Sequence, residues 1–296
     1  MIFAALLALA LAVFVPAMHP AGVDLRSTNF TTSDGVRLRV LEAGEARPGQ
    51  PAVAFVPGWS MPATIWKGQL AALAATHQVV ALDPRGQGES DIAPGGYTTE
   101  RRAEDIHEFV SRHAPVVLVT WSLGSLEALQ YLRTHGEAQV AALVIVDSSV
   151  GEGSAPPPRA AGVPGFLDEL RRDRAGSIEG FVRSMFRTPQ PEGDLAALRD
   201  GALRMPLEAS LSLFPGERIP REHWRDVAHR FGKPLMYVVT PQFAAQAESL
   251  KNNRPATRVE LFAAAGHALF VDEPGRFNAI LADFIRWHSH MPAARD

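Results

Sequence analysis

Cysteine is absent from this chain of 296 residues, which excludes disulfides, thiol catalysis and cysteine-held metal centres. Its absence does not choose between an oxidising and a reducing compartment. Internal repeats and long runs of one charge are also missing, and a net charge of −3 gives no electrostatic case for nucleic acid. No apolar run reaches the roughly 20 residues that a membrane-spanning helix needs. The longest, Ile2 to Val15, is followed by Pro16, Ala17 and a polar opening at His19. A core of about 14 apolar residues, with small residues before a cut after Ala17, fits a signal peptide, although no Lys or Arg precedes it. Residues 1–22 are therefore expected to be a signal peptide or short N-terminal anchor. A secreted or periplasmic protein is favoured over a membrane-anchored or cytoplasmic one.

What is present is a hydrophobic content of 46%, enough to bury a sizeable core in one large α/β domain with an insertion. Two alternating runs, Leu25 to Thr32 and Val36 to Leu41, flank Ser33-Asp34-Gly35 and predict an antiparallel hairpin. Short apolar runs then alternate with helical spacing. Strands are expected at Pro51 to Val56, His77 to Leu82, Val116 to Thr120, Val140 to Val146, Pro234 to Val239 and Arg258 to Phe262. Helices are expected at Thr64 to Ala75, from a Thr98 cap to His113, over Leu126 to Leu132, at Gln242 to Lys251 and at Gly275 to His288. This alternation implies a mostly parallel twisted sheet with helices on both faces, whose strands all point their carboxyl ends to one edge. A first core segment (residues 23–150) and a second (233–296) are interrupted over 151–232. There a Pro, Ala and Gly-rich linker (Gly153 to Gly165) leads into short amphipathic segments broken at Pro189, Pro206 and Pro215, with no convincing strand. The expectation is a small helical cap insertion.

Val116-Val117-Leu118-Val119-Thr120-Trp121-Ser122-Leu123-Gly124 organises the rest. A strand that stops at a serine and turns at once into a helix pushes that side chain out at the top of the sheet, and Gly124 permits close backbone approach. An ordinary strand-to-helix turn with a serine cap gives the same local pattern. Acyl transfer by serine further needs a base, an acid that orients it, and two N–H groups for the oxyanion. Of ten histidines, only His267 lies in a glycine-adjacent loop at the same predicted edge. The Leu123 N–H comes free at the helix start, and the Trp59 N–H follows the strand ending at Val56, where Pro57 cannot donate and Gly58 allows close approach. Two strand ends can supply the acid. The loop after Val239 holds no carboxylate before Glu248, which falls within a helix, whereas Asp147 ends the strand Val140 to Val146.

Four pieces in this order resemble the α/β-hydrolase superfamily, in its esterase, lactonase and cofactor-free haloperoxidase-like branch, over residues 25–290. They are Val56-Pro57-Gly58-Trp59, Asp83-Pro84-Arg85-Gly86-Gln87-Gly88-Glu89-Ser90, the Ser122 elbow, and Gly266-His267 with Phe270 to Pro274. The resemblance implies that Asp83 is structural. Three departures stand out: Pro57 replaces a histidine, Thr120 replaces the first elbow glycine, and the usual acid position after the penultimate strand is empty. A subset of the superfamily, including haloalkane dehalogenases, carries its acid after the preceding strand, where Asp147 falls. Those enzymes and the epoxide hydrolases use an aspartate nucleophile, so Ser122 argues against both chemistries.

The expectation is a serine hydrolase of carboxylic esters or related acyl compounds, without cofactor or metal, acting through Ser122, Asp147 and His267. Trp59 and Leu123 would form the oxyanion hole. A perhydrolase or haloperoxidase using the same triad is the nearer alternative; a non-catalytic ligand-binding protein on the same fold is the farther one. The substrate is expected to be a small, hydrophobic acyl compound. Trp121, Phe166, Met185 and Phe186 are candidate substrate-binding residues, with Phe181, Leu211 and Phe214 as further pocket walls.

Overall fold

The computed structural model describes residues 23–153, 165–214 and 219–289. The expected N-terminal segment 1–22, most of the expected linker and Pro215 lie outside the described residues. Eight strands form one sheet: β1 (Arg26–Thr31), β2 (Arg37–Ala43), β3 (Ala52–Val56), β4 (Val79–Leu82), β5 (Val116–Trp121), β6 (Val140–Val146), β7 (Leu235–Val239) and β8 (Arg258–Leu261). Their spatial order is β1-β2-β4-β3-β5-β6-β7-β8. The pairs β1–β2 and β2–β4 are antiparallel and the remaining pairs parallel. This is the α/β-hydrolase fold.

The central strands are runs of Val, Leu, Ile and Ala, and β3, β5 and β7 are buried at every residue. Such strands need cover on both faces. The core helices supply it: α1 (Lys67–Leu73), entered through a 3-10 turn at Ala63–Trp66, α2 (Thr99–Ser111) and α3 (Leu123–His135). Between β6 and β7 the chain forms α4 (Phe166–Arg172), α5 (Arg174–Ser184), α6 (Glu192–Arg204), α7 (Leu207–Ser212) and α8 (Arg221–Arg230), with no strand among the described residues. The chain then adds α9 (Ala244–Asn253), α10 (Leu269–Asp272) and α11 (Pro274–Ser289). Helix α1 packs on α11, α2 on α3, and α3 on α8. The expected Thr98 cap is in place, its side chain accepting from the Arg101 N–H. Two details differ from expectation. Helix α3 starts directly at Leu123, and α10 was not anticipated, because one turn is too short to show a helical period. Among the described residues no helix is long and apolar enough to cross a membrane.

Parallel register decides where the strands stop. Val56 lies opposite Thr120, Trp121 opposite Val146, Val146 opposite Val238, and Val239 opposite Leu261. The residues just after β3, β5, β6 and β7 therefore share one edge, where the loops collect.

The Asp83–Ser90 loop props that edge from one side. Asp83 is fully buried; its carboxylate accepts from Ala63 N–H (2.5 Å), Glu89 N–H (2.8 Å) and Arg39 Nε (2.6 Å). Removing one partner of a buried ion pair leaves the other uncompensated. Asp83→Ala should therefore lower the unfolding free energy in urea by about 3 kcal/mol or more. Asp83→Asn, which keeps the volume and one acceptor, should lose less.

Candidate active site

Ser122 sits between β5 and α3 at φ 54°, ψ −127°, a conformation that costs a non-glycine residue energy and must be held by its surroundings. Three hydrogen bonds hold it. The Ser122 N–H donates to Val146 O (3.1 Å), and its carbonyl accepts from Ser125 N–H (2.9 Å) and from Ser148 Oγ (2.8 Å). Two glycines make room. A Cβ on Gly124 would run into Pro57 O, and one on Gly58 would lie 2.9 Å from Ser122 Cβ. Thr120, the departure at the elbow, is fully buried, and its Oγ1 lies 3.0 Å from Ser125 Oγ and 3.2 Å from Val144 O. Its hydroxyl is satisfied inside the elbow.

His267 reaches the same edge from the loop after β8. Its Nε2 lies 2.9 Å from Ser122 Oγ and its Nδ1 2.7 Å from Asp147 Oδ2. Asp147 is fully buried and follows β6 at φ 41°. Its other oxygen accepts from the Thr240 N–H (2.7 Å) at the end of β7. A carboxylate only accepts, so Nδ1 carries the imidazole hydrogen and the Nε2 lone pair takes the Ser122 O–H. Glu248, the alternative carboxylate, is exposed on α9. A hydroxyl, an imidazole and a carboxylate in this order can make the hydroxyl a nucleophile.

Two backbone N–H groups flank Ser122. Leu123 is the first residue of α3, where N–H groups lack an intrahelical acceptor. On the facing loop Pro57 has no N–H, while the Ser60 N–H is committed to Gln87 Oε1 (3.2 Å) and the Met61 N–H to Gly58 O (3.3 Å). The Trp59 N–H lies between them.

A family model for the alpha/beta hydrolase family matches residues 53–280. The chain belongs to that family. The pimeloyl-[acyl-carrier protein] methyl ester esterase of Aeromonas hydrophila is 26% identical over 247 residues, covering 79% of this chain and 95% of that protein. Among solved structures, the esterase EaEST from Exiguobacterium antarcticum superimposes with a TM-score of 0.71 at 21% identity, over 88% of this chain and 100% of that one. A bromoperoxidase from Bacillus anthracis gives a TM-score of 0.73 at 19% identity, over 88% and 100%. At these identities the two structures share the fold. The chain is thus an α/β-hydrolase enzyme with esterase-like relatives.

In this hydrolase the side chains named from sequence fall into two groups. Trp121, expected to touch substrate, instead lies fully buried behind the site. Its ring packs 5.0 Å from that of His267 and edge-on to Phe270, and its Nε1–H donates to His267 O (2.9 Å). Met185 is also buried, and the group it offers is its carbonyl, which accepts from the Ala268 N–H (2.9 Å). A Cβ on Gly266 would come within 2.5 Å of that oxygen. Phe186 lines a cavity of about 260 Å³ with Ile65, Leu195, Leu198 and Val271, a lining that includes neither Ser122 nor His267. The other group lies beside the edge. Phe166, Phe181 and Phe214 gather around the Trp59 ring at 5.5, 5.2 and 5.2 Å, and the Trp59 Nε1–H donates to Ser210 O (2.8 Å). Leu211 is buried.

Several supporting residues are not among the site residues expected from sequence, and of these only Asp272 falls within a piece that carries the resemblance. Thr240 fixes Asp147 through a backbone N–H. Tyr237 donates to Ser148 O (2.6 Å), and burial, with the Asp147 charge next, holds its phenol well above the ordinary range. Asp272 ties the His267 loop to the insertion, accepting from Gly266 N–H (2.7 Å), Arg187 N–H (2.9 Å), Thr188 N–H (3.0 Å) and Thr188 Oγ1 (2.6 Å). Among the described residues no group of three His, Asp or Glu side chains could hold a metal ion.

Burial alone would raise the Asp272 pKa, but the Thr188 hydroxyl and the backbone donors outweigh it and leave it lowered from 3.8. A lowered carboxylate stabilises the fold above its unfolded pKa and loses that contribution as pH falls through its folded one. The melting temperature of the protein should accordingly exceed that of Asp272→Asn at pH 7. The gap should close as the pH drops below the ordinary carboxylate range.

Proposed function

We propose that this α/β-hydrolase is a serine hydrolase of carboxylic esters or related acyl compounds, working through an acyl-enzyme on Ser122. The observation that carries the proposal is the contact chain Ser122 Oγ–His267 Nε2 and His267 Nδ1–Asp147 Oδ2, at 2.9 and 2.7 Å. Ser122 Oγ attacks the acyl carbon while His267 Nε2 takes its proton. Asp147 holds the ring in that tautomer and stabilises the imidazolium that forms. The carbonyl oxygen becomes an oxyanion, to which Trp59 and Leu123 donate their N–H groups. When the tetrahedral intermediate collapses, the bond to the alcohol oxygen breaks and His267 returns the proton to the leaving group. A water molecule then repeats the sequence on the acyl-enzyme, releasing the acid and restoring the serine.

The same proposal makes α4–α8 a cap. Three of its phenylalanines, Phe166, Phe181 and Phe214, pack on the ring of the residue whose backbone faces the oxyanion, so the substrate's apolar part would bind beside them. This supports a hydrophobic acyl or alcohol group, and a panel of esters of graded chain length measures it. A rise in kcat/KM with chain length is expected; equal rates for acetate and longer esters would contradict an apolar subsite.

Ser122→Ala should abolish both ester turnover and labelling by a fluorophosphonate probe; labelling of the variant at the wild-type level would exclude Ser122. For the acid, Asp147→Asn should lower kcat steeply, by about four orders of magnitude where the imidazole tautomer is lost. Glu248→Gln should stay near the wild type. The reverse ranking would move the acid to α9.

A further inference from the structure

Gln87 lies in the loop after β4, is 1% exposed, and spends its whole amide on groups around the Ser122 edge. Its Nε2 donates to Gly58 O (3.1 Å) and Met61 O (2.7 Å), and its Oε1 accepts from the Ser60 N–H (3.2 Å). These three backbone groups bracket Trp59. We propose that Gln87 is the positioning residue of the oxyanion loop, fixing the direction in which the Trp59 N–H points. The inference rests on the serine-hydrolase proposal above.

The peptide plane is the physical link. Gly58 O and the Trp59 N–H belong to the same planar trans peptide and point in opposite directions. Anchoring the oxygen on Gln87 therefore turns the N–H away from Gln87, and Gly58, whose missing Cβ would meet Ser122 Cβ, brings that peptide up to the nucleophile. Ser60, the next residue, is held at φ 57°, strained for a serine. Its hydroxyl is buried without a hydrogen-bond partner among the described residues, so Ser60 is held through its N–H on Gln87, beside the turn bond from Met61 N–H to Gly58 O.

An amide can be turned over with little change of shape, which would place its acceptor against the two carbonyls. Arg102 prevents this. Both its terminal nitrogens donate to Gln87 Oε1 at 3.2 Å, and a guanidinium offers only donors. Glu127 Oε2 in turn accepts from Arg102 at 3.2 Å, with both side chains 1% exposed. The chain Glu127–Arg102–Gln87 thus runs from α3 and α2 to the loop beside β3. In every link the Arg102 guanidinium is the donor, and the bond is buried.

A glutamate at this position separates positioning from scaffolding. Gln87→Glu keeps the volume and the acceptor for Arg102 and Ser60 but loses both donors to Gly58 O and Met61 O. Its kcat for a p-nitrophenyl ester should fall by about ten- to a hundredfold, the range for a weakened oxyanion donor, with KM changed by less than about threefold. Affinity for a trifluoromethyl ketone, which forms a tetrahedral oxyanion adduct with the serine, should fall by the same factor as kcat/KM. Gln87→Met should behave alike, and Arg102→Lys, should the other two fail to fold, should show a smaller parallel loss. If kcat and ketone affinity stay at wild-type levels in a folded variant while only the melting temperature drops, Gln87 is a scaffold residue and the inference is overturned. Absence of serine labelling and ketone inhibition in the unmutated protein would instead remove the underlying hydrolase proposal.

Discussion

The in-register ending of four parallel strands is the constraint on which the site depends. Because each of β3, β5, β6 and β7 stops within a residue of the strand beside it, residues far apart in the chain are delivered to one edge. Trp59 follows β3, Ser122 follows β5, Asp147 follows β6 and Thr240 follows β7. Ladder bonds continue past the strand ends: the Ser122 N–H donates to Val146 O and the Asp147 N–H to Val238 O (2.8 Å). The same bonds that extend the sheet therefore set the distance between the hydroxyl and the carboxylate. A shift of one residue in any of these strands would turn its side chains to the opposite face and dissolve the constellation.

Strain gathers at this edge. Ser60, Ser122 and Asp147 are the non-glycine residues with positive φ among the described residues, and each is tied by a backbone N–H or carbonyl to a neighbouring element. The costs are small individually, of order 1–3 kcal/mol each, and the rigid sheet beneath absorbs them. Close approach does the rest. Gly58 and Gly124 bring the loop after β3 against the elbow, and Gly266 brings the His267 loop against Met185 O. The helical insertion is part of this arrangement. Met185 O, the Asp272 hub and the Trp59 indole on Ser210 O all join it to the edge, so the position of the insertion and that of Ser122 and His267 are mechanically coupled.

Much of this was legible in the sequence, for identifiable reasons. Val116 to Trp121 is a β-branched, apolar run of strand length, and the serine at its end stood where a buried strand must turn. Asp147 and His267 were legible as a carboxylate at one strand end and a glycine-flanked histidine after another. Thr120 looked like a defect because a glycine is usual there, yet its hydroxyl is absorbed by Ser125 and Val144. Side-chain direction was not legible. Trp121 immediately precedes Ser122 and Met185 falls in the insertion, but burial against His267 and Gly266 decides their use. Gln87 and Asp272 stand within pieces that carry the resemblance, yet their bonds, like that of Thr240, were not legible, for another reason. The bonds from Ser60 N–H to Gln87, Thr240 N–H to Asp147 and Arg187 N–H to Asp272 span 27, 93 and 85 residues, and no spacing pattern in a sequence encodes such a bond.

In the proposed mechanism Ser122 carries the acyl group. Reaction of the full chain with diethyl p-nitrophenyl phosphate, followed by peptide mass mapping, tests it directly, because a phosphorylated serine cannot be turned over readily by water. One nitrophenol should be released per chain, with a single diethylphosphoryl group on the peptide containing Ser122 and loss of ester turnover in step with labelling. A label on any other residue, with ester turnover undiminished, would contradict it.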